Sequence, residues 1–161
     1  MIEVRELDNN EITELLAHVG YGHLACSLHD QPYLVPIHYA YEAPNIYIYT
    51  TEGKKSEILE KNARICLQVE DVNSNTHWKS VIVTGVAERL IDQGKREAAL
   101  KAIVAVNPTL TPAVSVHWMD DWVRENIEAI YVITPEAMTG RSSVSRAETD
   151  RPIVPRVPTG Q

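Results

Sequence analysis

The chain of 161 residues, 44% of them hydrophobic and carrying a formal net charge of -7, has the size of one domain and enough apolar side chains to bury a core. That excludes a disordered tract or a small scaffold held by staples. The acidic total excludes a nucleic-acid partner gripped by a broad basic surface, so any bound anion must be met by local positive charge.

No run is long enough to span a bilayer, and the opening MIEVRELDNNEI is charged where a signal peptide would be apolar, so a cytoplasmic protein without a membrane partner is expected. Cys26 and Cys66 each sit inside apolar runs, LACSL and RICLQV, which suits buried reduced thiols. In chain order, Asp8-Asn9-Asn10-Glu11 offers capping oxygens before Ile12, Leu15 and Leu16, and predicts a helix ending near Gly20. Segments 24–28, 33–41, 46–51, 65–69 and 81–90 are rich in β-branched and aromatic residues and are separated by turn formers, which predicts strands. A helix is expected over 93–106, stopped by Asn107-Pro108, a second over 118–126, and a closing strand over 127–134. About six strands with few helices, in a chain too short for repeated βαβ units, predict a mainly β, antiparallel barrel with flanking helices. The body is taken as residues 1–140. Residues 141–161 hold three prolines and few apolar side chains, and are expected to form a flexible tail. The tail's four arginines against Glu148 and Asp150 give it +2, which leaves the body at -9.

The stretch YTTEGKKSEILEKN, residues 49–62, reads as a strand end turning through Gly53 into a helix. Two hydroxyls, a glycine, free first-turn N–H groups and two lysines are the parts of a phosphate site. The same residues also fit a solvated helix start, with Glu57 and Lys61 as an ordinary i, i+4 pair. His38 fits either a ligand contact or a satisfied barrel histidine. Trp78, Trp118 and Trp122 fit packing better than ligand cover. The six histidines show no HxH, HxxH or HExxH spacing, so no metal site is expected.

Four segments, EITELLAHVGYGHLACS, QPYLVPIHYAYE, IYIYTTEGKKSEILEKNARICLQVE and HWKSVIVTGVAERL, in this order and spacing resemble the flavin-binding split-barrel, pyridoxamine-phosphate-oxidase-like proteins, in the branch that contains the nitroimidazole-resistance proteins. The resemblance implies a homodimer of six-stranded split barrels, with flavin mononucleotide (FMN) in each of two clefts between subunits. It places the phosphate at Tyr49, Thr50, Gly53, Lys54 and Lys55, the ring along Val35, Pro36, Ile37 and His38, and Ser80 at the ring's pyrimidine end. Where the family most often has Arg-Lys, this chain has Lys54-Lys55, which keeps the charge and loses the arginine fork. Pro36 inside a strand belongs at an edge or a distortion. Pyridoxamine-phosphate oxidases proper carry a lysine on the flavin strand and a C-terminal Arg-x-His; here Ala40 stands at the first position and Arg-x-His is missing. Oxidation of a phosphorylated pyridoxine is therefore not expected. The implied activity is an FMN oxidoreductase passing electrons through flavin N5 to a small planar acceptor, with no catalytic side chain identified. The alternatives are a flavin sensor or carrier without turnover, or a relative holding deazaflavin or haem.

Overall fold

In the computed structural model, residues 2–108 and 128–144 are described. Seven strands and three helices follow in the order β1 (Glu3–Glu6), α1 (Asn9–Val19), β2 (Tyr21–Leu28), β3 (Gln31–Glu42), β4 (Asn45–Thr51), α2 (Lys54–Lys61), β5 (Arg64–Ser74), β6 (His77–Arg89), α3 (Gln93–Val106) and β7 (Glu128–Val144). The sheet runs β1-β7-β4-β3-β2-β5-β6, every pairing is antiparallel, and β6 also pairs with β7. That last pairing closes β2 to β7 into a six-stranded barrel. β1 is the seventh strand, appended to the far end of β7.

Helix α1 begins where the sequence predicts. Asp8 Oδ1 accepts from Glu11 N at 2.9 Å, Glu11 Oε2 accepts from Asp8 N at 3.0 Å, and the Arg5 guanidinium grips both Glu11 oxygens at 2.6 and 2.8 Å. Gly20 ends the helix in the left-handed region, φ 70°, where a side chain would also strike Val106.

Inside the barrel, Leu16, Leu24, Tyr39, Ile46, Ile48, Leu67, Val69, Val81, Val83 and Ile133 are fully buried. All but Leu16, which α1 contributes, alternate along their strands with outward residues, the pattern of a sheet with one face in the core. Helix α3 covers part of the outer face, packing Ala99 and Ile103 on Ala40, Tyr49 and Ile130.

The closing strand is longer than 127–134. It runs to Val144, with Glu128–Ile133 on β4, residues 131–142 on β6 and Arg141–Val144 on β1. Residues 141–144 therefore belong to the barrel, because β1 and β6 supply the backbone partners that their polar side chains do not advertise. The rest of the expected tail and the expected helix 118–126 lie outside the described residues. Among the described residues, no helix is long and apolar enough to cross a membrane.

Candidate functional site

Strands β3 and β4 pair only from His38–Tyr49 to Glu42–Asn45, although β3 begins at Gln31. Beyond that point the two strands part, and residues 31–37 of β3 keep β2 on one side and nothing of β4 on the other. Tyr39 N donates to Gly20 O on the β2 side at 3.0 Å, so alternation aims the backbone groups of Leu34 and the carbonyl of Pro36 at the open side. The expectation for Pro36 holds, because its missing N–H falls where no ladder bond is required.

The far side of this gap is the turn from β4 into α2. Ser56 organises it: its hydroxyl accepts from Gly53 N and donates to Gly53 O, both at 2.8 Å. Glu57 N closes the first helical bond to Gly53 O at 3.1 Å. The N–H groups of Lys54, Lys55 and Ser56 have no intrahelical acceptor. Gly53 is extended, φ 163°, and a side chain there would meet nothing within 4 Å, so the turn lies open. At its other end α2 is fastened to β2, where Asn62 Nδ2 donates to Ser27 O at 2.8 Å.

The two lysines behave differently. Lys55 turns inward, half-buried, and its ammonium donates to the Thr50 hydroxyl; burial pushes its pKa down. Lys54 is exposed and lies over the Tyr33 ring of β3, 5.1 Å from its centre. Among the described residues neither lysine is paired with a carboxylate, whereas Glu52, in the same turn, is taken by Arg89 at 2.5 Å. Glu57 and Lys61 do not form the ion pair that their spacing favours. A half-buried ammonium whose one partner among the described residues is a hydroxyl, beside helix N–H groups without intrahelical acceptors and open space, fits an anionic group such as a phosphate.

The remaining expected residues divide by direction. Ile37 is 3% exposed and points into the core, and Val35 packs against that core; the same alternation turns the backbone groups of both toward β2, so the open side is served by Leu34 and Pro36. Tyr49 is buried beneath α3, away from the turn, and its phenol pKa is raised first by burial and then by Glu128. His38 is half-buried on the outer face, with the Tyr21 ring 5.7 Å away edge-on and Asn107 Oδ1 3.1 Å from Nδ1.

A scan against protein families matches residues 8–142 to the model described as pyridoxamine 5'-phosphate oxidase. The chain belongs to this family. Its structural relatives include a FAD-binding protein from Mesorhizobium loti, with 29% identity, TM-score 0.73, and coverage of 90% of this chain and all of that one. A candidate 5-nitroimidazole antibiotic resistance protein from Bacteroides thetaiotaomicron shares 20% identity, TM-score 0.67, and 89% of each chain. The flavocytochrome Anf3 from Azotobacter vinelandii shares 18%, TM-score 0.63, covering 98% of this chain and 89% of its own; these two support the fold alone. An uncharacterised protein of Rhizobium meliloti (strain 1021) is 37% identical over 87 residues, 54% of this chain and 58% of that protein.

Within this family member, one expected site residue stands apart. Ser80 on β6 pairs with Glu70 and Arg141 and lines a cavity of about 440 Å³ with Trp78, Ile82, Thr139, Gly140 and Arg141. Three strand spacings, about 14 Å along the sheet, separate β6 from β3 by way of β5 and β2. A single copy of the chain does not bring Ser80 to the ring strand. Sequence reasoning missed Tyr33, Arg89 and Asn107. The first two carry no motif, and Asn107 is visible in sequence only as a helix stop.

Proposed function

We propose that the protein binds FMN with its phosphate at the Thr50–Lys55 turn and its ring along the open side of β3, and that it is an oxidoreductase for a small planar electron acceptor. The observation that carries this reading is the inward ammonium of Lys55, held, among the described residues, by Thr50 and by no carboxylate, beside first-turn N–H groups of α2 that have no intrahelical acceptor. A bound flavin supplies electron transfer at N5. The protein's own contribution is to hold and orient. Lys55, Lys54, Thr50 and the first turn of α2 neutralise the phosphate, the backbone of Leu34 and Pro36 offers hydrogen bonds to a polar ring edge, and His38 bounds the far end. The name FAD-binding on the Mesorhizobium loti relative supports a flavin nucleotide in general.

We place the flavin between two copies of the chain. Leu34, 65% exposed, and Tyr21, 44%, on the paired strands β3 and β2, and Ile82, 45%, on β6 beyond β5, are exposed apolar side chains that a second copy would cover. A second copy would also bring a Ser80 to the ring strand that the first cannot supply. Position 40 supports the departure from phosphorylated pyridoxine chemistry, since Ala40 is 1% exposed under α3 and presents nothing to a substrate.

The test is the purified protein itself. A yellow protein whose heat-released cofactor runs as FMN in chromatography, about one per chain, supports the reading. Released FAD would correct the nucleotide, a haem or deazaflavin spectrum would replace it, and a colourless protein indifferent to added FMN would overturn it. Rapid reoxidation of the reduced protein by a quinone or a nitroaromatic separates the oxidoreductase from a sensor without turnover.

A further inference from the structure

Asn107 follows the last residue of α3 and reaches over to β3. Its Nδ2 donates to Tyr39 O and to Ile103 O, each at 3.2 Å, and its Oδ1 lies 3.1 Å from His38 Nδ1. These contacts decide which way round the amide stands, because the opposite orientation would press a carbonyl oxygen against two backbone carbonyls. With both amide hydrogens committed, only an acceptor is left to face the imidazole. A neutral His38 answers it by carrying its proton on Nδ1, which leaves Nε2 with a lone pair.

We propose that Asn107 is a positioning residue that fixes the orientation and tautomer of His38, so that Nε2 acts as a hydrogen-bond acceptor for an N–H donor of the ligand on the ring strand. This rests on the site assigned above. It makes His38 an acceptor at neutral charge, whereas the residue type alone also allows a donor. The geometry around the pair is well defined. Tyr21, opposite His38 in the β2–β3 register, holds the ring edge-on, and Gly20 lets α3 approach, since a side chain there would run into Val106 and come within 3.2 Å of the Asn107 amide. Asn107 N also caps α3 by donating to Ile103 O at 2.9 Å, so the helix end and the imidazole are fixed by one residue.

The decisive measurement uses the full chain without ligand: two-bond ¹⁵N correlation spectra of the histidine rings at a pH where they are neutral. The His38 pattern should show protonated Nδ1 in the wild type, and should change in Asn107→Ala while circular dichroism shows the variant folded. A wild type protonated at Nε2, or a pattern unchanged by Asn107→Ala, overturns the proposal. FMN titrations of wild type, Asn107→Ala, His38→Ala and the double variant then test the link to the ligand. Asn107→Ala should weaken binding about tenfold in the wild-type background and hardly at all when His38 is already alanine. Equal losses in the two backgrounds would overturn the positioning role. If no variant and no wild type binds FMN, the flavin reading fails, and the tautomer spectra still decide the role of Asn107.

Discussion

The Lys54 ammonium sits over the face of Tyr33, 5.1 Å from the ring centre, and so links the start of α2 to the stretch of β3 that β4 leaves uncovered. Two adjacent lysines thereby do separate things. Lys54 spans the gap between the walls of the site, and Lys55 supplies charge from beneath the turn.

The first expectation follows from that division. Removing Lys55 deletes a charge-assisted contact worth roughly 1.5–3 kcal/mol, so Lys55→Met should weaken FMN about tenfold to a hundredfold while affecting riboflavin far less. Lys54→Met, with its ammonium partly engaged by Tyr33, should cost less. Removing both should cost about two orders of magnitude or more. Fluorescence titration of each variant with both ligands checks this, and equal FMN affinity in wild type and the double variant would reduce the lysines to an ordinary helix start.

Without ligand, the same Lys55 should be a liability. Burial lowers its pKa below the ordinary 10.5, so folding disfavours the charged form, and the cost is full below the folded pKa and gone above 10.5. Lys55→Met should therefore raise the melting temperature of ligand-free protein at neutral pH, with the gain shrinking as the pH rises through lysine titration. Thermal melts across that range provide the measurement.

Ile37 tests whether the ring strand works through its backbone. With its side chain in the core, Ile37→Val should cost about 0.5–1.5 kcal/mol of stability and leave the FMN affinity of the folded protein unchanged. Denaturant unfolding and ligand titration on one preparation separate the two. A large loss of affinity would place the side chain, not the main chain, against the ligand.

Glu11 governs the acid side of stability. The Arg5 guanidinium and then the Asp8 N–H hold its carboxyl at about 2, against an ordinary 4.5, so its contribution is present above 4.5 and is lost as pH falls toward 2. Glu11→Gln should flatten the stability–pH curve in that window and leave the curve above it parallel to wild type. Urea midpoints measured from pH 6 downward would show it.

Tyr131 presents the opposite case from the lysines. Among the described residues its hydroxyl is buried without a well-formed hydrogen bond, and desolvation pushes its pKa up, with the nearby Ser56 hydroxyl opposing the rise. An unsatisfied buried hydroxyl costs about 1–3 kcal/mol, so Tyr131→Phe should be as stable as wild type or more so, by up to about 1 kcal/mol. A clear drop in the unfolding midpoint would show that the hydroxyl is bonded in solution.

Much of this could be read in the chain. The strands β2 to β6 announce themselves by β-branched and aromatic residues between turn formers, and the capping residues of α1 and the glycine at its end mark the helix to within a residue. The turn proposed to take a phosphate stands out in the sequence because hydroxyls, glycine and lysines are contiguous. β1 was not, since all four residues of Glu-Val-Arg-Glu are exposed and the strand exists through its pairing with β7. The second half of β7 escaped for the same reason: TGRSSV has no apolar alternation, and its strand state comes from neighbours far away in sequence. Asn107 and His38 stand 69 residues apart, and a contact at that distance leaves no local pattern.

The long reach of β7 has a consequence for how the protein is made. Until residues 128–144 leave the ribosome, β4 and β6 each lack the partner that closes the ring, and the nascent chain carries two bare strand edges. One late segment of the polypeptide seals both. Everything before it waits as an open sheet with adhesive sides, so synthesis that stalls ahead of Glu128 yields a product disposed to stick to its own kind, and the last of the described strands to emerge is the one that turns a sheet into a vessel.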